Sequence, residues 1–210
     1  MFGDQREGFL FIVSAPSGGG KTSIVKRAVL RLSNLKRSIS CTTRPPRPGE
    51  QEGVDYHFIS REAFEGRITS GELVEWAEVY GHLYGTPRPP LEGNRKAGID
   101  TILTIEIQGA RKMRELFPKA ITIFVKPPSL EVLERRLRER EAEPEEVLKR
   151  RLQLAREEMG WIDQYDYAIL NEDLEEAVGQ LQAIIVAERC RVRTPSSPPK
   201  RGPRPQERSP

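Results

Sequence analysis

Residues 14–22 read Ser-Ala-Pro-Ser-Gly-Gly-Gly-Lys-Thr, and this stretch decides the fold. An apolar run typical of a buried parallel strand precedes it at 8–14, and apolar residues at helical spacing follow it over 22–32. Strand, glycine-rich loop and helix in this order form a P-loop, with Ala15 where the motif usually has its first glycine. The three glycines let backbone N–H groups converge on phosphate oxygens at the N-terminus of the helix. The stretch therefore predicts a nucleoside triphosphate site rather than a merely flexible turn.

The P-loop pattern also assigns chemistry to its last two side chains. Lys21 is expected to bridge the β- and γ-phosphates, and the hydroxyl of Thr22 is expected to bind Mg²⁺. We therefore predict a nucleoside triphosphate as the phosphoryl donor, with Mg²⁺ as its cofactor. The predicted binding loop comprises Ala15, Pro16, Ser17, Gly18, Gly19, Gly20, Lys21 and Thr22.

Alternating strand and helix patterns outside the loop predict an α/β fold, in which a parallel sheet is flanked by helices. Residues 44–94 interrupt this pattern with proline-rich sequence and short elements, and they predict a small mixed α+β insertion that binds the acceptor. We thus predict a P-loop core at 1–43 and 95–190, with a helical lid at about 129–151. Further strands are expected at 36–43, 73–79, 100–107, 120–125 and 167–170, and further helices at 61–70, 109–116, 130–140, 145–162 and 174–189.

Composition places the chain among globular proteins, with 37% hydrophobic and 31% charged residues. The apolar runs are far shorter than the ~20 residues that cross a bilayer, and the N-terminus lacks the pattern of a signal peptide. We therefore predict a cytoplasmic protein without a membrane partner. The two cysteines and two histidines have no paired ligand spacing, which predicts neither a disulfide nor a zinc site.

The net charge of +3 is unevenly distributed along the chain. Residues 191–210 hold six Lys or Arg, one Glu and six prolines, so the remaining chain has a net charge of −2. This segment has too little apolar area to offset its ordering entropy, and we predict a disordered basic tail. Such a tail could touch nucleic acid, but no obligatory nucleic-acid partner is expected.

Three blocks beyond the P-loop indicate the phosphoryl acceptor. They are SISCTTRPPRPGE at 38–50, VDYHF at 54–58 and ELVEWAEVYGHLYGT at 72–86. With the P-loop, these blocks make the chain resemble the guanylate kinase family over most of residues 8–190. The resemblance implies transfer of the γ-phosphoryl group of ATP to GMP, giving ADP and GDP, in the synthesis and recycling of guanine nucleotides.

The resemblance assigns acceptor residues whose chemistry suits GMP. Two guanidinium groups three residues apart in a proline-stiffened segment could bind one phosphate together. A carboxylate accepts hydrogen bonds from guanine N1–H and N2–H₂, which adenine does not offer, and a hydroxyl can serve O6. The positions that match the family's phosphate contacts are Ser40, Arg44, Arg47, Tyr56 and Tyr84, with Glu50 in the same block, and those that match its guanine contacts are Glu75 and Thr86.

The resemblance also implies the catalytic groups. The attacking phosphate oxygen of GMP is already anionic, so catalysis should consist of positioning and cationic stabilisation without a general base. Lys21 and the lid residues Arg136, Arg140 and Arg151 match the family's catalytic cations. Asn171 matches a position at the adenine end of the ATP site.

Three residues depart from the family's pattern. Thr104 replaces the first acid of a Leu-Asp-Ile-Asp sequence on the central strand, and Glu106 stands at the second acid. Glu106 could hold Mg²⁺ through water or order the acceptor, whereas a threonine can only form hydrogen bonds. Glu141 stands where the lid often has glycine, and we expect it to slow or reshape lid movement.

Two other functions are compatible with parts of this sequence. Another P-loop kinase with a different phosphorylated acceptor, such as a sugar-bisphosphate kinase, would differ on the acceptor side, where the residues needed for GMP are present. A catalytically inactive scaffold module that binds peptides would usually have a degraded P-loop and neighbouring domains. The sequence does not decide between a monomer and a homo-oligomer.

Overall fold

The computed structural model describes residues 6–140 and 144–192, apart from the side chain of Arg140. The predictions about Glu141 and about the tail from 193 to 210 lie outside the described residues. The strands are β1 (Leu10–Ser14), β2 (Leu35–Arg37), β3 (Cys41–Thr42), β4 (His57–Phe58), β5 (Leu73–Val79), β6 (His82–Pro87), β7 (Asp100–Thr104), β8 (Ile121–Lys126) and β9 (Tyr167–Leu170). The helices are α1 (Lys21–Arg31), α2 (Arg61–Thr69), α3 (Arg88–Lys96), α4 (Ile107–Leu116), α5 (Leu130–Arg140), α6 (Glu145–Met159) and α7 (Leu174–Cys190).

The larger sheet has five parallel strands in the order β2-β7-β1-β8-β9. Every side chain of the central strand β1 is buried, as expected for a parallel strand covered on both faces. On one face, Phe11 and Val13 pack with residues of α1 and α7. On the other face, Ile12 packs in a cluster that includes Met113 of α4. The α/β fold predicted from the sequence is confirmed, and the loop after β1 leaves the sheet at the carboxyl edge of the strands, where ligands of such folds bind.

The smaller sheet has four strands in the order β4-β3-β6-β5 and mixes parallel with antiparallel pairs. Its own core forms around Phe64 of α2, which packs with Leu73 and Leu83. An ion pair between Lys26 of α1 and Asp55 ties this part of the chain to the larger sheet. The smaller sheet is therefore held beside the P-loop helix.

Several local predictions differ from the structure: the strand expected at 100–107 ends at Thr104, and β4 and β6 were not predicted. The strand expected at 36–43 divides into β2, which pairs with β7 of the larger sheet, and β3, which pairs with β6 of the smaller one. The helix α3 was not predicted because its sequence begins Arg-Pro-Pro. Those prolines lie in the first helical turn, where the missing N–H groups have no intrahelical partner in any case.

Helices α5 and α6 form a pair that covers the P-loop side of the larger sheet. Leu133 and Leu137 of α5 pack against Leu148 and Ala155 of α6 in a buried cluster of their own. Each helix formed by residues 6–140 and 144–192 is too short or too polar to span a bilayer.

Candidate functional site

The P-loop connects β1 to α1 and depends on two glycines with positive φ. Gly18 has φ +83° and Gly20 has φ +91°, a region that residues with a Cβ rarely adopt. A Cβ at Gly20 would also lie 2.2 Å from Nδ2 of Asn171, so neighbouring side chains leave no space for it. The loop is closed by a hydrogen bond from the Gly19 N–H to the Pro16 carbonyl, 2.8 Å long. The sequence thus folds into the turn that the P-loop motif requires.

Lys21, the first residue of α1, donates a hydrogen bond to Glu106. Its Nζ lies 2.8 Å from Oε1 of Glu106, which follows β7 and precedes α4. Burial lowers the pKa of Lys21, but the charge and the hydrogen bond of Glu106 outweigh that effect, so the pKa is raised overall. The lysine is therefore held protonated beside the phosphate loop.

Asn171 lies beneath the P-loop at the end of β9. Its buried carboxamide donates from Nδ2 to the Gly19 carbonyl over 2.8 Å. Its own backbone carbonyl accepts a hydrogen bond of 3.1 Å from Nη2 of Arg136, on α5. Asn171 thus contacts the backbone of the predicted ATP site, and Arg136 is linked to that site through Asn171.

Helix α6 brings two side chains to Ser17 of the P-loop. Arg151 is buried and donates from Nη2 to the Ser17 hydroxyl over 2.7 Å, with its guanidinium 5.5 Å from the ring centre of Tyr80. The Ser17 backbone N–H lies beside Glu158 and favours its ionised form. Burial and then the nearby charge of Glu106 raise the pKa of Glu158 to about 7, although Lys21 opposes the shift.

Glu158 is a residue that our sequence reasoning missed. It lies seven residues after Arg151 on α6, and side chains at that spacing share one helix face. This spacing is a usable signal, because Arg151 is itself a predicted site residue. Without the packing of α6 over the P-loop, however, Glu158 resembles any other charged residue of an exposed helix.

Glu50 organises the proline-stiffened arginine segment. Both of its carboxylate oxygens lie 2.9 Å from Nη2 of the buried Arg44, and it also accepts a 2.8 Å hydrogen bond from the backbone N–H of Arg47. Arg44 further donates to the Pro45 carbonyl and stands 5.6 Å from the ring centre of Tyr56. Glu50 therefore fixes the guanidinium group of Arg44 and the backbone of Arg47.

The predicted guanine contacts meet across adjacent strands. Glu75 of β5 pairs in register with Thr86 of β6, and the Thr86 hydroxyl donates to Oε1 of Glu75 over 2.7 Å. Burial raises the pKa of Glu75, while the hydrogen bond from Thr86 opposes this rise. A cavity opens at the Glu75 carboxylate and is lined by Ser40, Tyr56, Glu75, Tyr84, Thr104 and Glu106.

A second cavity adjoins the first and extends to the P-loop. Tyr56, Tyr84 and Glu106 line both cavities, and the rings of Tyr56 and Tyr84 meet edge to face with centres 6.0 Å apart. The remaining predicted site residues along the second cavity are Ser17, Gly18, Lys21, Thr22, Arg47 and Arg151. The structure thus brings donor-side and acceptor-side residues to one cleft, whereas Arg136 and Asn171 lie behind the loop.

Oxygen atoms suited to Mg²⁺ are present in this cleft. Thr22 and Glu106 both line it beside the P-loop. In the described ranges 6–140 and 144–192, no cluster of three or more His, Cys, Asp or Glu side chains could hold a metal ion. Mg²⁺ usually keeps several waters and binds through one or two protein ligands together with substrate phosphates. The donor set fits an ion that is held mainly by the nucleotide.

Comparison with known proteins gives one consistent family. A family model described as guanylate kinase matches residues 8–188. The chain is 44% identical over 190 residues to a guanylate kinase of Desulfitobacterium hafniense (strain Y51), covering 90% of this chain and 95% of that protein. It is 47% identical over 188 residues to a guanylate kinase of Geobacter sulfurreducens, covering 90% and 93% of the two chains. Among solved structures, the guanylate kinase from Anaplasma phagocytophilum superposes with a TM-score of 0.74 at 37% identity, covering 88% of each chain.

Proposed function

This chain belongs to the guanylate kinase family, whose activity is the phosphorylation of GMP by ATP, and we propose that it performs this reaction in the cleft between the P-loop and the smaller sheet. The observation that carries the proposal is the continuity of the two cavities. The P-loop lysine lines one of them, and the carboxylate that suits guanine lines the other. A donor at the P-loop and an acceptor at Glu75 would thus meet near Tyr56 and Tyr84, which line both.

On the donor side, we propose that the backbone N–H groups of 17–21 hold the phosphates of ATP. Lys21 would move its hydrogen bond from Glu106 to the β- and γ-phosphates, and Thr22 would supply a hydroxyl ligand to Mg²⁺. When bound, Mg²⁺ supplies charge neutralisation on the phosphate oxygens. Glu106 would then hold the ion through water or order the acceptor.

On the acceptor side, we propose that Arg44 and Arg47 bind the phosphate of GMP, joined by the hydroxyl groups of Tyr56 and Tyr84. Glu50 holds the guanidinium group of Arg44 and the backbone of Arg47, so part of this segment is ordered before GMP arrives. Because the Arg44 guanidinium is positioned in advance, less of its conformational entropy is lost on binding.

For the base, we propose that Glu75 accepts hydrogen bonds from guanine N1–H and N2–H₂, with the Thr86 hydroxyl beside it. Ser40, which was expected at the phosphate, lines the same cavity as Glu75. The Glu75 carboxylate is buried, so a base that offers no donors would leave a desolvated charge unpaired. The pocket should therefore discriminate against AMP more strongly than it would if only the shapes of the two bases differed.

For the transfer, we propose in-line attack by a phosphate oxygen of GMP, with Lys21 and the arginines of α5 and α6 stabilising the charge that develops. Arg151 is already in the cleft and contacts Ser17. Arg136 and Arg140 would act as further cations of the lid, and closure would exclude water from the γ-phosphate. A cytoplasmic location remains part of the proposal.

The test is a coupled assay of ADP production with ATP, Mg²⁺ and each of GMP, AMP, CMP and UMP. We expect turnover with GMP alone, reduced about a hundredfold or more in Lys21→Ala. Lys36→Ala, which removes an exposed lysine from the edge strand β2, is the matched control and should turn over like the unmodified chain. Binding of GMP without turnover would contradict the proposal and indicate a scaffold-type module instead.

A further inference from the structure

Gly109, the third residue of α4, lies against the carboxylate of Glu75. A Cβ built on Gly109 would be 2.7 Å from Oε2 of Glu75, closer than real Cβ atoms approach, and 3.3 Å from Cδ, which is a tight contact. The other carboxylate oxygen, Oε1, accepts the 2.7 Å hydrogen bond from Thr86. The carboxylate is thus confined between a hydroxyl on one side and the bare backbone of Gly109 on the other.

Glycine at this position is not explained by backbone conformation. Gly109 is not among the residues with positive φ, so alanine could adopt its helical geometry without strain. In the interior of a helix, glycine is less favourable than alanine by about 0.5–1 kcal/mol. The close approach of Glu75 is therefore the structural reason for glycine at 109.

A side chain at 109 would displace the carboxylate in a definite direction. Movement of Glu75 away from the helix must stretch its hydrogen bond to Thr86 or carry it into the cavity that Gly109 also lines. That cavity is the space proposed above for the guanine base. We propose that Gly109 is a positioning residue for guanine recognition, whose missing side chain keeps Glu75 at the wall of the base pocket. This inference rests on the proposed function, because it concerns the same pocket.

The variant Gly109→Ala tests it, with Gly179→Ala as the matched control. Gly179 lies in the helix α7, and a Cβ there would meet nothing within 4 Å. We expect Gly109→Ala to raise KM for GMP about ten- to a hundredfold, since hydrogen bonds to a charged group are misplaced, while KM for ATP stays within about twofold. Gly179→Ala should leave both KM values unchanged.

A stability measurement keeps the inference falsifiable if Gly109→Ala folds poorly. In a Glu75→Ala background the new Cβ has no carboxylate to meet, so adding Gly109→Ala should leave Tm equal or higher than in Glu75→Ala alone. A lower Tm in that background would overturn the inference, as would an unchanged KM for GMP in the single variant. In either case the proposed function stands if the unmodified chain phosphorylates GMP. An unmodified chain that is inactive on GMP would overturn both.

Discussion

Nζ of Lys21 and Oε1 of Glu106 lie 2.8 Å apart, and they join the start of the P-loop helix to the carboxyl end of the neighbouring strand. Lys21 is largely buried, and a buried ammonium group without a partner tends to lose its proton. Glu106 prevents this and holds the lysine in the cleft. The acid at 106 thus has a function in the free enzyme, whatever it contacts when nucleotides are bound.

We expect Glu106→Gln to lower the pKa of Lys21, because burial lowers it and the opposing carboxylate charge is gone. A lysine acts on phosphates only while protonated, so activity should be lost at lower alkaline pH than in the unmodified chain. Turnover at neutral pH should fall about tenfold, as expected when one cationic contact to the transferred group is weakened. The measurement is kcat for GMP between pH 7 and 10.

Glu115→Gln is the control for this experiment, since it removes an exposed acid from the same helix α4. Its profile should follow that of the unmodified chain. Identical alkaline limbs in all three proteins would show that Glu106 does not maintain the charge of Lys21.

We expect Thr86→Val to impair guanine recognition without removing the carboxylate. The Thr86 hydroxyl opposes the rise that burial causes in the pKa of Glu75, so its loss should raise that pKa further. Recognition requires the ionised carboxylate. When the pH is lowered, kcat/KM for GMP should therefore begin to decline at a higher pH in Thr86→Val than in the unmodified chain. At neutral pH the KM for GMP should rise about tenfold, which corresponds to the loss of a hydrogen bond to a charged group.

Thr101→Val provides the matched substitution in β7. Within the described residues, the buried Thr101 hydroxyl has no hydrogen-bond partner, so replacing it with a methyl group should be nearly neutral or stabilising. An equal effect of the two substitutions on KM for GMP would contradict a specific contribution of Thr86.

The P-loop was predictable from sequence because its chemistry is local. Gly18 and Gly20 are required by the backbone of one turn, and Lys21 and Thr22 follow within the same nine residues. The α/β class was predictable for a similar reason, because the unbroken apolar run of β1 indicates a strand that is buried on both faces.

The rest depended on contacts between distant segments. Residues 36–43 have one extended pattern but two different neighbours, and only the three-dimensional arrangement decides where the chain leaves one sheet for the other. Glu158 and Gly109 belong to the site because they lie against Ser17 and Glu75, respectively. These partners are far away in sequence, so the sequence alone does not indicate the contacts. The predicted roles of the individual site residues stay predictions.

We expect Glu158 to make stability fall as the pH rises towards neutrality. Its pKa is raised from the ordinary 4.5 to about 7 in the folded chain. Between these values the unfolded chain has released a proton that the folded chain still holds, so the free energy of unfolding decreases with rising pH. Below the lower value Glu158 is protonated in both states, and above the higher value it is ionised in both states. The contribution of Glu158 to the free energy of unfolding therefore changes with pH only between these two values.

Glu158→Gln cannot ionise, yet its amide oxygen can accept a hydrogen bond from the Ser17 N–H. The difference between the Tm of Glu158→Gln and that of the unmodified chain, both measured without nucleotide, should therefore increase from pH 5 to pH 7 and stay constant above pH 7. Glu157→Gln removes the neighbouring exposed acid from α6 and is the control. The same pH dependence in both variants would exclude Glu158 as its origin.

Substitution of Asn171 should distinguish support of the P-loop from recognition of adenine. In Asn171→Ala, the Gly19 carbonyl loses its 2.8 Å hydrogen bond, and we expect a stability loss of about 1–3 kcal/mol with a higher KM for the donor. If the carboxamide acts by holding the loop, ATP and GTP should lose kcat/KM by the same factor, because the loop binds phosphates that both donors share. If it instead binds adenine, the loss should be confined to ATP.

The variant Asn171→Asp provides a second test of the same contact. It places a carboxylate against the Gly19 carbonyl, so the binding of both ATP and GTP should be weaker than in Asn171→Ala. KM for GMP measured at saturating donor is the internal control, because the acceptor pocket at Glu75 is formed by other strands.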